Sequence, residues 1–207
     1  MAAETPISVE GLLEACGASS LDQVRSVNFW AKKLTSKQVQ QTVGQCANLE
    51  VASLSINEVD SLKAFKGNTH LQELFLRKNN VADIREVGHL ADLPLRVLWL
   101  SDNPCDQHEL YRELVVRLCP KLVKLDKTDV TAEERAKVKE GVNPRLDALA
   151  QEALAFAAGG ATPDASPAPS SPAAPSAVLQ AVMTLLPLLS KPQLQSVREA
   201  AAKLSSE

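Results

Sequence analysis

From position 71 the chain reads L-x-x-L-x-L-x-x-N-x-V, with Leu71, Leu74, Leu76, Asn79 and Val81 in the named places. The same template fits 22 residues earlier as Leu49, Ala52, Leu54, Asn57 and Val59, and 24 residues later as Leu95, Leu98, Leu100, Asn103 and Cys105. A weaker copy opens 25 residues before the first of these, at Val24, with Val27, Phe29 and Leu34 in apolar places and Lys32 where the asparagine belongs. A unit this short cannot bury its own leucines. Successive units must stack, each covering the apolar side of the last.

Steps of 25, 22 and 24 residues fall in the range of the leucine-rich repeat. The predicted fold is α/β, a right-handed leucine-rich-repeat solenoid with helical caps. The central residues of each unit alternate apolar and polar, as a short half-buried strand requires, and strands of neighbouring coils pair in parallel along a concave side. The asparagines are placed to bond backbone groups where the chain leaves each strand, forming a ladder through the stack. Lys32 accepts no such bonds, so the first turn needs another partner. Return segments at 36–43 and 60–66, ahead of Gly44 and Gly67, read as short helices or 3₁₀ turns on the convex side.

Both ends need covers. Thr5 and Pro6 read as the N-cap and first position of a helix carrying Val9, Leu12, Leu13 and Cys16 at helical spacing. At the other end a helix with Tyr111, Leu114, Val115 and Leu118 lies over the last coil, and Leu122 with Leu125 opens a fifth strand-like turn. Thr131 and Glu134 have capping-box spacing for a helix to about Glu140, stopped by Gly141. Asn143 and Pro144 start another, to about Ala158, with Leu146, Leu149, Ala153 and Phe156 on one side, trailing the cap.

The expected domains are a capped repeat domain over 1–158, a disordered Ala/Pro/Ser linker over 159–176 and a helical module over 177–207. The linker holds five Pro, five Ala, four Ser and two Gly in eighteen residues, with no apolar period. Beyond it, one helix bears Val178, Leu179, Val182, Leu185, Leu186 and Leu189, and a second, capped by Ser190 and Gln193, bears Leu194, Val197 and Leu204. Pro187 must kink or end the first. About thirty residues are too few to shelter this much aliphatic surface, so the hairpin is expected to self-associate, as a dimer or tetramer.

Composition narrows the function classes. A net charge of −3 gives no broad positive field, so nucleic acid is not an expected partner. The longest apolar run, 177–189, is 13 residues, short of the ~20 needed to cross a bilayer, and no secretory pattern opens the chain, so a cytoplasmic location without membrane insertion is expected. Cys16, Cys46, Cys105 and Cys119 lie far apart without C-x-x-C and read as core fillers. There is no G-x-S-x-G, P-loop or G-x-G-x-x-G, and His70, His89 and His108 read as surface residues in repeat turns. The chain is expected to be no enzyme and to hold neither metal nor cofactor.

The candidate site is the concave face. Strand alternation sends outward a first column of Ser26, Val51, Glu73 and Val97, a middle column of Asn28, Ser53, Phe75 and Trp99, and a third of Trp30, Ser55, Arg77 and Ser101. Rungs ~4.8 Å apart put Phe75 against Trp99, and place Arg77 to reach across Ser55 toward the face of Trp30. Exposed aromatics beside an arginine match the composition of binding hot spots, with Asn28, Trp30, Ser53, Glu73, Phe75, Arg77 and Trp99 as the expected contact set. The alternative is that the rings only pack on one another and stiffen the sheet.

The complete repeat at 71–81 and the cap from Asn103 to Glu134, with Tyr111-Arg112 and Thr131-Ala132-Glu133-Glu134, resemble the short intracellular leucine-rich-repeat proteins with a tyrosine-arginine cap, which include phosphatase-regulatory, spliceosomal and axonemal types. Asn28 with Trp30, Phe75 with Arg77, the run Arg96-Val97-Leu98-Trp99-Leu100 before Asn103-Pro104-Cys105, and the terminal apolar hairpin look most like the cilia- and flagella-associated members. That resemblance implies a non-enzymatic protein of the basal body, cytoskeleton and flagellum, involved in cilium assembly, which oligomerises through its last helices and works with a NIMA-related kinase. The alternatives are a spliceosomal-type ribonucleoprotein component and a phosphatase regulator.

Overall fold

The computed structural model describes residues 7–159. The terminal hairpin lies outside them, as does the linker except for Gly159.

Four parallel strands repeat where the periodicity places them: β1 (Ser26–Asn28), β2 (Val51–Ser53), β3 (Glu73–Phe75) and β4 (Val97–Trp99). β5 (Lys124–Leu125) pairs in parallel with β4, and β6 (Thr128–Asp129) turns back antiparallel on β5, closing the described sheet with a hairpin in place of another coil. The middle residue of each of the first four strands, Val27, Ala52, Leu74 and Leu98, points inward and is buried. Flanking leucines complete the stack: Leu49, Leu54, Leu71, Leu76, Leu95 and Leu100 have no exposed surface. Burying each is worth about 1.5–3 kcal/mol, which is what holds one coil to the next.

The asparagine ladder forms. Asn79 Oδ1 accepts from the Val59 amide at 3.0 Å while its Nδ2 donates to the carbonyls of Leu54 and Leu76. Asn103 repeats the pattern with Val81, Leu76 and Leu100. At the first coil, where Lys32 stands in the asparagine place, Asn57 reaches back from the second coil: its Oδ1 accepts from the amides of Lys32 and Leu34, and its Nδ2 donates to Phe29 O. At the far end Asp126 accepts from the amides of Leu100 and Ser101, both at 2.8 Å, and the Tyr111 hydroxyl donates to its second oxygen.

The convex side carries α2 (Ser36–Gln41), whose Thr35 and Gln38 form a capping box, and 3₁₀ segments at Val43–Gln45, Lys63–Phe65 and Ile84–Leu90. The N-terminal helix α1 (Val9–Cys16) starts later than the Thr5–Pro6 pair suggests. Its cap is Ser8, whose hydroxyl accepts from the Gly11 amide at 3.1 Å, and Gly17 at φ 61° ends it. Leu12 fills the end of the core. At the other end α3 (Tyr111–Leu118) buries Tyr111, Leu114, Val115 and Leu118 on the last coil. Next, α4 (Ala132–Lys137) has the expected Thr131–Glu134 box but stops three residues short of Glu140, at a Val138 cap. Glu134 also takes the Arg112 guanidinium at 2.5 Å, which holds its carboxyl down at about 2 and ties α3 to the cap.

The last helix, α5 (Pro144–Ala157), is capped by Asn143 as expected, but it does not trail away. It folds back over the convex side of the third coil, where Gly88 leaves room for it. A Cβ on Gly88 would stand 2.0 Å from Ala153 O. Lys66 Nζ donates to Ala157 O at 2.9 Å, a cation on carbonyls at the helix C-terminus. Arg85, held by Asp83, lies 5.2 Å from the Phe156 ring centroid.

Candidate functional site

The three outward columns stand in the register that alternation predicts. Ser26, Val51, Glu73 and Val97 are Cα partners in turn, as are Asn28, Ser53, Phe75 and Trp99. Backbone bonds from Ala31 to Ser55, Ile56 to Arg77 and Lys78 to Ser101 carry the order on through the third column. Trp30 is 59% exposed, at the solenoid's first coil. Phe75 and Trp99 meet edge to face, centroids 5.3 Å apart and planes at 80°, the arrangement aromatic quadrupoles favour. Each ring shields the other, so both are half-buried and not open to solvent as the pattern alone suggests. The Trp99 Nε1 is buried without a hydrogen-bond partner among the described residues.

Arg77 does not turn to Trp30. Its Nε donates to Asp102 Oδ2 at 2.8 Å, across to the following coil. A charge-assisted hydrogen bond to a carboxylate one rung away wins over a cation–π contact two rungs in the other direction. Asn28 is exposed, its Oδ1 3.4 Å from the Trp30 amide, and Ser53 and Glu73 are half-exposed. The face thus offers rings at two places, a small polar floor at Asn28 and Ser53, and an arginine already half-neutralised. The nine hairpin residues expected to self-associate lie outside the described residues.

His89 is buried, contrary to the surface reading. It sits in the 3₁₀ segment under α5, its ring 5.8 Å from Phe156 and its Nε2 3.7 Å from Glu86 Oε2. Burial, then Lys66 and Lys63, lower its pKa, and burial raises that of Glu86. The periodic signal missed this because the helix that covers the turn, α5, lies far along the chain from it. Serine, glutamate and histidine meet here, but the Ser61 hydroxyl donates to Glu86, not to the imidazole, and Glu86 also accepts from the Leu62 amide. This is not the order of a serine–histidine–acid triad, in which the hydroxyl donates to the imidazole. Glu86 is a buried cap for the chain leaving Ser61. Burial lifts the thiols of Cys105 and Cys119 to about 12 and that of Cys46 to about 11, far from thiolate at neutral pH. Among the described residues no group of three or more His, Cys, Asp or Glu is arranged to hold a metal ion, and no helix is long and apolar enough to cross a membrane.

Repeated coils, a laddered turn and a capped concave sheet define a leucine-rich-repeat protein. No family model matches the chain. The chain is similar to Cilia- and flagella-associated protein 410: 41% identical to the mouse (Mus musculus) protein over 126 residues, covering 59% of this chain and 49% of that one. Against the human (Homo sapiens) protein it is 40% identical over 126 residues, with 59% and 48% covered. The chain therefore spans about half the length of the curated relatives it matches. Among solved structures it resembles a chain of the Drosophila melanogaster SNF/U2A' complex, with a TM-score of 0.50, 18% identity, and coverage of 62% of this chain and 74% of that one. At that identity the likeness concerns the fold.

Proposed function

We propose that this chain is a non-enzymatic adaptor of the cilium or flagellum, acting at the basal body in cilium assembly, which grips a protein partner on its concave face. The observation that supports the reading is the register of β2 to β4, which aligns Ser53, Phe75 and Trp99 as partners on successive strands, with Trp30 59% exposed at the first coil. The similarity to cilia- and flagella-associated relatives supports the location. A NIMA-related kinase is the partner that the resemblance proposes. Residues 177–207 would join copies of the chain, making weak concave contacts multivalent.

Trp30 gives the cleaner test, because its ring is exposed and its loss leaves no cavity. In capture from ciliated cells, Trp30→Ala is expected to lose the partner while the melting temperature stays within about 2 °C of the parent. Capture unchanged by this substitution and by Asn28→Asp would refute the face. A spliceosomal-type role, suggested by the likeness to a chain of the SNF/U2A' complex, predicts nuclear fluorescence of the tagged protein instead of ciliary.

A further inference from the structure

The residues just before each strand form a row of their own along one margin of the sheet. Glu50 N bonds Arg25 O, Gln72 N bonds Glu50 O, Arg96 N bonds Gln72 O and Val123 N bonds Arg96 O, at 2.7–2.8 Å each. Arg25, Glu50, Gln72, Arg96 and Val123 therefore stand on successive rungs. At the start of the row the charge is met: Arg25 Nη1 lies 2.7 Å from Glu50 Oε1. Arg96 has no such neighbour. It stands between a glutamine and a valine, and among the described residues neither its guanidinium nor the Lys121 ammonium has a partner.

These two cations line a cavity of about 350 Å³ with Thr69, His70, Gln72 and Pro94. No carboxylate lines it; Glu73 is the next residue after Gln72, and strand alternation turns it to the concave side. The wall offers a guanidinium fork, an ammonium and an amide, while the Thr69 hydroxyl and the His70 imidazole face each other at 3.4 Å and His70 Nδ1 lies 3.3 Å from Ala47 O. The first three hold more donors than the two oxygens of a carboxylate use, and they suit a doubly charged group with three terminal oxygens. We propose that this cavity receives a phosphorylated serine or threonine side chain of a protein partner. Arg96 leads directly into β4, and Trp99 stands three residues on, ~10 Å along the strand, so a peptide with its phosphate at Arg96 reaches the Phe75–Trp99 pair by rounding the margin of the sheet, with a residue about three positions away. A net charge of −3 favours a peptide over a nucleic-acid backbone, which needs a continuous basic track. The proposal rests on the concave-face reading.

The test is an amide-shift titration of the isotope-labelled 207-residue chain at fixed ionic strength, with inorganic phosphate, with glutamate, and with a short phosphoserine peptide carrying leucine three positions on. The expected result is saturable shifts at Thr69, Gln72, Arg96 and Lys121 with phosphate and the peptide, tighter for the peptide, and at least about tenfold weaker in the Arg96→Ala, Lys121→Ala double variant. Both side chains are exposed, and circular dichroism checks that the variant folds. Shifts that glutamate or chloride reproduces, that survive the double variant, or that the peptide does not strengthen over phosphate would overturn the assignment. If Trp30 proves essential for capture and the phosphate arm fails, the cavity falls alone. Phosphopeptide binding with capture indifferent to Trp30 and Asn28 would sustain the cavity and sink the face.

Discussion

Ile56 sits at φ 59°, in the left-handed region that a β-branched residue avoids. The position recurs: Lys78 at 58° and Asp102 at 60° also precede a ladder asparagine, and Ala31 at 55° precedes Lys32. The turn demands that conformation, because the next residue must swing its side chain inward to bond two coils. Lysine and aspartate tolerate it better than isoleucine, whose branched Cβ crowds its own backbone at a cost of about 1–2 kcal/mol. Ile56 keeps 38% of its surface exposed, so burial offsets only part of that cost. Replacing it with asparagine is expected to stabilise the protein by about 1 kcal/mol, read as a higher urea midpoint at unchanged slope. A lower midpoint would mean that the side chain packs where the turn argument gives it no role.

Among the elements, α5 is the one whose place the sequence concealed. Its cap and its apolar side are legible, because Asn143-Pro144 and the spacing of Leu146, Leu149 and Ala153 are local signals. Its destination depends on Gly88, which in the sequence is one glycine among eight and in the structure is the point where helix and repeat backbones touch. The same contact hides His89, which local pattern assigns to the surface. On the concave side, by contrast, register follows from period alone, so the Phe75–Trp99 contact is readable from the spacing of 24 residues. What alternation does not give is which way a long side chain turns, and Arg77 chose Asp102. Gly88→Ala is expected to force α5 off the third coil, costing about 2–4 kcal/mol and raising hydrogen exchange across α5 while the amides of β2 to β4 keep their protection. Equal exchange in α5 would show that the helix is not held there.

At the scale of the molecule, two kinds of surface are proposed to work together: a rigid concave sheet and an apolar C-terminal segment. Sedimentation separates their contributions. The 207-residue chain is expected to have at least twice the mass per particle of a version ending at Ala161, and equal masses per chain would refute self-association. The sheet's rigidity comes from the stacked leucines and the asparagine ladder, so the face changes little on binding and its chemistry is already on display. The most direct test of the partner claim is site-specific photocrosslinking in ciliated cells, with a photoreactive residue placed in turn at Trp30, Ser53 and Arg77 on the concave face and at Gln40 and Lys63 on the convex side. The concave positions are expected to yield one common crosslinked partner that the convex positions do not. A partner recovered from Gln40 and Lys63, with none from Trp30, Ser53 or Arg77, would contradict the account.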